Sequence, residues 1–419
     1  MRSIPSTDPA FLTEVRVDAT AGGAPLWVFP YTQARFRFTG TSLAVRVRDH
    51  WNYGDIRLGV AVDGRQFAVR VPSPAEPSLP AGATLGDDGV LTLPVVDGLP
   101  GCVHDAVVFK RQDGGMHYLE FHGVQVDDGA RIAAPVATAT FDDAPLALAM
   151  APGVPPLADG TRRIEFYGDS VTCGERNEAT AYLGQLDPEV DLSAASNAWY
   201  SYAAIAARAL GARARLIAQG GASLLDGIGW FNGPDYLGME SMWDRVRYNP
   251  ALGGTSRWDF AGFTPQVVVV ALGQNDTHPR DFMALDYDGD EARHWRARYA
   301  DFLRALRSRY PRAHRVHDDG ARARPRVGPR DRRGGRRLRR CACDAFRIHA
   351  RRLGHAGSSA HRGGPGDGGA AGGVRELPGA GGLGGLIGRS PCARTHLSFI
   401  TGTPPLAVDV RRLRAGAFP

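Results

Sequence analysis

Between about residues 12 and 150, apolar and polar positions alternate in short runs. LWVFPYTQARFRFTG, SLAVRVRDH, IRLGVAVDG, RQFAVRVP, GVLTLPVVDGLP, HDAVVFKRQDGG and HYLEFHGVQVDDGARI are rich in Val and Phe and are separated by Gly, Asp and Pro. A period of two with β-branched and aromatic residues predicts strands, and their even spacing predicts an antiparallel β-sandwich over 1–155. His104, His117 and His122 fall at predicted strand ends and are read as surface or turn histidines. APGVPPLADGTRR, at about 151–163, reads as a linker. The pattern then changes. RIEFYGDS is an apolar strand running into a turn, AWYSYAAIAARALG has helical spacing with Gly211 as its stop, RARLIAQGG is a strand, PQVVVVALGQND is a fully apolar strand, and EARHWRARYADFLRALRSRYP is a long helix. Strands alternating with helices predict a parallel sheet covered on both faces, an α/β unit of three layers over 160–315. The stretch 230–259 carries aromatic-rich turns without clear period and is expected as an insertion over the active site.

Composition refines this picture in one place. The chain has 419 residues and a formal net charge of +6. Lys110 is its only lysine. From residue 316 onward there are 20 Arg against 7 Asp or Glu, so the tail stands at +13 and residues 1–315 at −7. The five cysteines, Cys102, Cys173, Cys341, Cys343 and Cys392, are odd in number, with only two before the tail, which fits a reducing compartment better than a disulfide framework. The first residues lack an apolar segment of the signal-peptide kind, so a cytoplasmic location is expected. No run approaches about 18 apolar residues, which excludes a membrane-spanning helix as an expectation.

The candidate chemistry lies where three predicted strands end. These ends are Gly168-Asp169-Ser170, Gly220-Gly221-Ala222-Ser223 and Gly273-Gln274-Asn275-Asp276. Ligands of open α/β sheets bind at the carboxyl ends of the strands. A serine there, opening a helix, can expose its hydroxyl and aim its backbone N–H at an oxyanion. A glycine in the second turn allows close backbone approach, and Asn275 can offer a side-chain N–H to the same oxyanion. Asp169, Trp199, Trp230 and His278 are expected to line the substrate cleft. No metal or organic cofactor is called for.

GDSVTCGE, AQGGAS and ALGQND resemble blocks I, II and III of the SGNH (GDSL) hydrolase superfamily, whose core is flavodoxin-like. The preceding FRFTGTSLAVRV, VAVDG and GLPGCVHDAVVFKR resemble the N-terminal jelly-roll domain of carbohydrate esterase family 2. The resemblance covers about residues 12–315. It implies an acetyl-xylan esterase-like enzyme that removes O-acetyl groups from carbohydrates through an acyl-Ser170 intermediate. By the same resemblance, the backbone N–H groups of Ser170 and Gly221 and the side chain of Asn275 form the oxyanion hole. The family also places its general-base histidine near the C-terminus in a D-x-x-H-P-like segment, and no such segment occurs here. His278, in NDTHP, lies too close to the third turn to be assigned that role.

The tail, 316–419, has neither helical nor strand period. A disordered extension and a basic nucleic-acid arm are two readings of it, and a shifted reading frame is a third. Taking the last two bases of each codon with the first of the next, 347–365 can encode VFTRAGSGTPGHLRIAEA, followed by an amphipathic EAREMAAQLAAYVNSL. That text supplies a strand, a turn, a helix and a histidine whose codon straddles Ser358 and Ser359. The frameshift explains most and is the reading adopted here, with acetylated carbohydrate rather than nucleic acid as the expected partner. The rivals are a catalytically dead carbohydrate-binding protein, using Trp199, Tyr200, Trp230, Trp243 and Trp258, and a basic-tailed nucleic-acid binder.

Overall fold

The structure is a computed structural model that describes residues 1–14, 16–18, 23–76, 78–135, 162–183 and 188–319. All but the last two residues of the linker expected at 151–163, and most of the tail, lie outside the described residues.

The N-terminal part is two antiparallel sheets facing one another. In the first, strands run in space as Val17–Asp18, Leu26–Trp27, His117–Val126, Leu43–Trp51, Leu91–Val96 and Thr84–Leu85, with Arg2–Pro5 also pairing to His117–Val126. In the second the order is Ile132–Ala133, Gln33–Gly40, Cys102–Lys110, Ile56–Val62 and Arg65–Val71, with Leu12–Glu14 on Gln33–Gly40. Alternate residues point inward, as the period of two requires. Phe36, Phe38, Leu58, Val60 and Val108 of one sheet meet Val45, Val47, Leu119 and Phe121 of the other in one core cluster. Two of the three histidines correct the sequence reading. His104 is 1% exposed and bonds Asp63 and the Pro100 carbonyl, and His117 is 1% exposed and bonds Asp49 at 2.6 Å. His104 can be buried because Asp63 and the Gly40 and Pro100 carbonyls satisfy both its ring nitrogens, while His117 has the Asp49 carboxylate on Nδ1.

The second part is a four-stranded parallel sheet in the order Arg213–Ala218, Arg163–Gly168, Val267–Leu272 and His314–Asp319. Every residue of Val267–Leu272 is buried, as a central strand covered on both faces demands. Ile164, Phe166, Leu216, Val267 and Val269 pack on one side with the helix Tyr202–Ala209. Tyr167, Ile217, Val268 and Val270 pack on the other with Trp295, Tyr299, Phe302 and Leu306 of the helix Asp290–Arg309. The three expected layers are present. Tyr202–Ala209 is buried all round rather than amphipathic, because the sandwich covers the side that would otherwise face solvent. The fourth strand reaches Asp319, four residues past the boundary expected at 315. Residues 230–259 are not simply a cover over the site, since Met239, Met242, Val246 and Tyr248 belong to the core.

Both faces of this sheet also recruit the sandwich. Leu26, Val28, Phe29 and Tyr118 join one cluster, and Tyr31, Ala61, Val107 and Phe109 join the other. Arg16, fully buried, reaches across to Tyr167 at 3.0 Å, to Glu165 at 3.4 Å and to the Trp243 carbonyl at 2.6 Å.

Candidate active site

The parallel register pairs Gly168 with Ala218 on one side and with Ala271 on the other, so the three turns that follow leave the sheet at one edge. In the first turn, Asp169 has an extended backbone and caps the four-residue helix Ser170–Cys173 by accepting from the Val171 N–H at 3.1 Å. Gly174, at φ 71°, ends the helix. A Cβ on Gly168 would strike Thr172 Oγ1, so only glycine lets the helix fold back this tightly on the strand. Ser170 is left at the helix start, half-buried.

The second turn spans Gln219–Ala222 and closes through Ala222 N–H to the Gln219 carbonyl at 3.2 Å. Gly221, at φ 76°, holds the position of such a turn that needs a positive φ. A Cβ there would also press on Trp230 Cβ at 2.9 Å, and the Gly221 carbonyl accepts from Trp230 N–H at 2.8 Å. In the third turn Asn275 Nδ2 donates to the Ala222 carbonyl at 2.9 Å, which ties the third turn to the second. Among the described residues, neither the Ser170 nor the Gly221 backbone N–H is engaged by another protein group. Two unclaimed donors at partly exposed turns are what an oxyanion requires.

Two carboxyls lie under these turns. Asp169 is fully buried, and burial first, with the neighbouring Asp276 and Glu175 charges adding to it, pushes its pKa up to about 7. Asp276 takes Trp295 Nε1–H at 2.5 Å and Leu224 N–H at 2.9 Å, and burial raises it to about 6. Asp169 is therefore a cap beneath the serine and not a cleft residue, as had been expected. Trp199 is a second correction. It is 0% exposed, with Phe109 tilted against it at 4.8 Å between centroids and Arg208 over its ring, in the core shared with the sandwich. Trp230 is 64% exposed and lies on His278 with ring centroids 3.4 Å apart, so these two form an open aromatic platform. Among the described residues, no histidine is hydrogen-bonded to Ser170, and no group of His, Cys, Asp and Glu could hold a metal ion. The histidine codon across Ser358 and Ser359 lies outside the described residues.

Sequence reasoning missed a contribution from the sandwich. Asp113, 3% exposed, accepts from Gly220 N–H at 3.0 Å and from Gln219 Nε2–H at 3.2 Å. Its setting, RQDGG after a strand, has the ordinary chemistry of a hairpin turn and carries no mark of a site.

Residues 15–135 match the family model described as carbohydrate esterase 2 N-terminal. Over 307 residues the chain is 29% identical to the cellulase/esterase CelE of Acetivibrio thermocellus, covering 73% of this chain and 30% of that protein. A solved family two carbohydrate esterase from Clostridium thermocellum, in complex with cellohexaose, superposes with a TM-score of 0.52 at 26% identity, covering 73% of this chain and 76% of that one. Sequence and fold place the chain beside the family 2 carbohydrate esterases. This family-2-like chain also shares 29% identity over 163 residues with an acetylxylan esterase/glucomannan deacetylase of Cellvibrio japonicus, 38% of this chain and 40% of that protein. It thus spans well under half the length of the two curated relatives. No helix among the described residues is long and apolar enough to cross a membrane.

Proposed function

We propose that the chain is built as a serine esterase that removes acetyl or similar short acyl groups from carbohydrates. The observation that carries this is the pair of unclaimed N–H groups of Ser170 and Gly221, the second in a turn that Asn275 ties to the third. In the reaction, Ser170 Oγ bonds to the ester carbonyl carbon as a base takes its proton. The Ser170 and Gly221 N–H groups, with the second Nδ2 hydrogen of Asn275, receive the oxyanion. Collapse expels the sugar oxygen, which takes the proton, and water then releases the carboxylic acid by the reverse sequence. The Trp230–His278 platform offers an apolar face to a sugar ring. The chain as written offers no histidine to Ser170 among the described residues, which would impair the reaction; the base would come from the shifted frame, as the histidine whose codon spans Ser358 and Ser359.

A binding-only protein is the second reading, favoured by the lack of a histidine on Ser170 among the described residues. Of its proposed aromatics, Trp199, Trp243 and Trp258 are committed to packing, while Trp230 is open. The test is labelling by a fluorophosphonate and release of p-nitrophenol from p-nitrophenyl acetate. Both are expected to vanish in Ser170→Ala. Labelling that persists in that variant rejects Ser170 as nucleophile, and cello- or xylo-oligosaccharide retention without ester turnover selects the binding-only reading.

A further inference from the structure

The segment Lys110–Tyr118 leaves the sandwich sheet and runs against the esterase turns. Arg111 Nε donates to the Ser196 carbonyl at 3.1 Å, and Gln112 Nε2 to the Ser193 carbonyl at 2.9 Å. Asn249 Nδ2 donates to the Gly114 carbonyl at 3.0 Å, and Tyr118 Oη accepts from the Asn249 N–H at 2.8 Å. Within this frame Asp113 is held from both ends. Lys110 Nζ donates to the Gln112 and Asp113 carbonyls at 2.6 and 2.8 Å. The Asp113 carboxylate takes Gly115 N–H on Oδ1 at 2.8 Å. Oδ1 also takes Met116 N–H at 3.3 Å, and the carboxylate reaches the second turn with Gln219 Nε2–H on Oδ1 and Gly220 N–H on Oδ2. Gln219 is fixed in turn by Tyr248 Oη–H, which donates to Oε1 at 2.6 Å. No space is left for adjustment, since a Cβ on Gly115 would strike Gln219 Nε2 and one on Gly220 would strike Glu175 and Asp113 Oδ2.

We propose that Asp113 of the sandwich is a positioning residue of the esterase site, fixing the Gln219–Gly220 peptide so that the Gly221 N–H of the next peptide stays aimed at the oxyanion. A buried carboxylate accepting backbone N–H groups makes a short, charge-assisted contact, and donors in an oxyanion hole act only when preorganised. The sandwich on this account is part of the catalytic scaffold as well as a neighbouring module. The inference rests on the esterase reading above.

The decisive substitution is Asp113→Asn. Its one remaining carbonyl oxygen can serve the Gly115, Met116 and Gln219 donors, but its NH₂ then faces Gly220 N–H, donor against donor. In the full chain, p-nitrophenyl acetate turnover above the Ser170→Ala level should show kcat lowered about tenfold or more, with KM within about twofold. Hydrogen exchange of the peptide covering 219–222 should accelerate while exchange in the sandwich core stays unchanged. Gly220→Ala pushes on the same carboxylate from the other side, and gives the same kcat loss should Asp113→Asn fail to fold. Unchanged protection at 219–222 overturns the hold that Asp113 is said to exert. Lost protection with unchanged kcat overturns its positioning role. Equal turnover by the wild-type chain and Ser170→Ala counts against the esterase reading instead, while the exchange measurement still decides whether Asp113 holds the turn.

Discussion

The two halves of the molecule are built on different terms. The sandwich closes its own core: every residue of its central cluster lies between Ile4 and Ile132. The α/β half does not. Each face of its sheet is completed by sandwich side chains, Phe29 and Tyr118 on one and Tyr31 and Phe109 on the other, and its buried Glu165 is paired by Arg16 from across the junction. A domain that borrows apolar cover and a buried counter-charge depends on its neighbour for stability, because stripping them exposes hydrophobic area and an unpaired ion. The sandwich loses cover and the Arg16 partners too, but its own cluster stays closed, so the dependence is unequal.

Cutting the chain gives the largest expected effect. Residues 1–135 should fold alone and melt cooperatively, while 160–319 alone should fail to fold, as read by circular dichroism and thermal melting. A stable, cooperatively melting 160–319 fragment would break the asymmetry. Correcting the frame near codon 316 comes next. It returns a strand, a helix and a histidine to the dependent half, so kcat/KM for acetyl esters should rise by at least ~10³ over the chain as written, in line with the cost of losing a triad base. Ordinary enzyme rates in the chain as written would show that a histidine of the present frame is the base.

Proton linkage offers a finer test. Asp169 and Asp276 have folded pKa values raised to about 7 and about 6, above the unfolded carboxylate range, so the folded half holds extra protons and its stability falls as pH rises from about 4 to about 7. Lys110, lowered to about 7 by burial, acts in the opposite direction, and stability recovers as pH rises above about 7 toward the unfolded value. Asp169→Asn keeps the Val171 cap and should flatten the acid side of the Tm profile, with residues 1–135 alone lacking the acid slope. Identical profiles for the variant and the parent would remove Asp169 from this account.

The parts of the site legible in the sequence were those made by the chain around a strand end. GDS, GGAS and GQND each announce themselves because an all-apolar strand such as Val267–Leu272 can stop only in small or polar turn residues. What the other half contributes was not legible. Asp113 lies 106 residues from Gln219 in sequence, and D-G-G satisfies local turn chemistry so completely that nothing is left to explain. Trp199 misled for the converse reason. A large aromatic in a helical run has the same pattern whether it lines a cleft or fills a core, and its burial depends on Phe109, a residue of another domain. The sandwich strands were legible from their alternation, whereas the burial of His104 and His117 depended on partners, Asp63 and Asp49, on other strands.

The chain's single lysine sits inside the junction. Lys110 is 0% exposed, and its ammonium is spent on two backbone carbonyls. An amine-directed acylating reagent therefore meets the exposed Met1 α-amine on the closed surface, and Lys110 becomes modifiable only when the structure around its ammonium opens. The rate at which mass is added at that one position is thus a clock for that opening, supplied by the protein's own composition and needing no engineered probe.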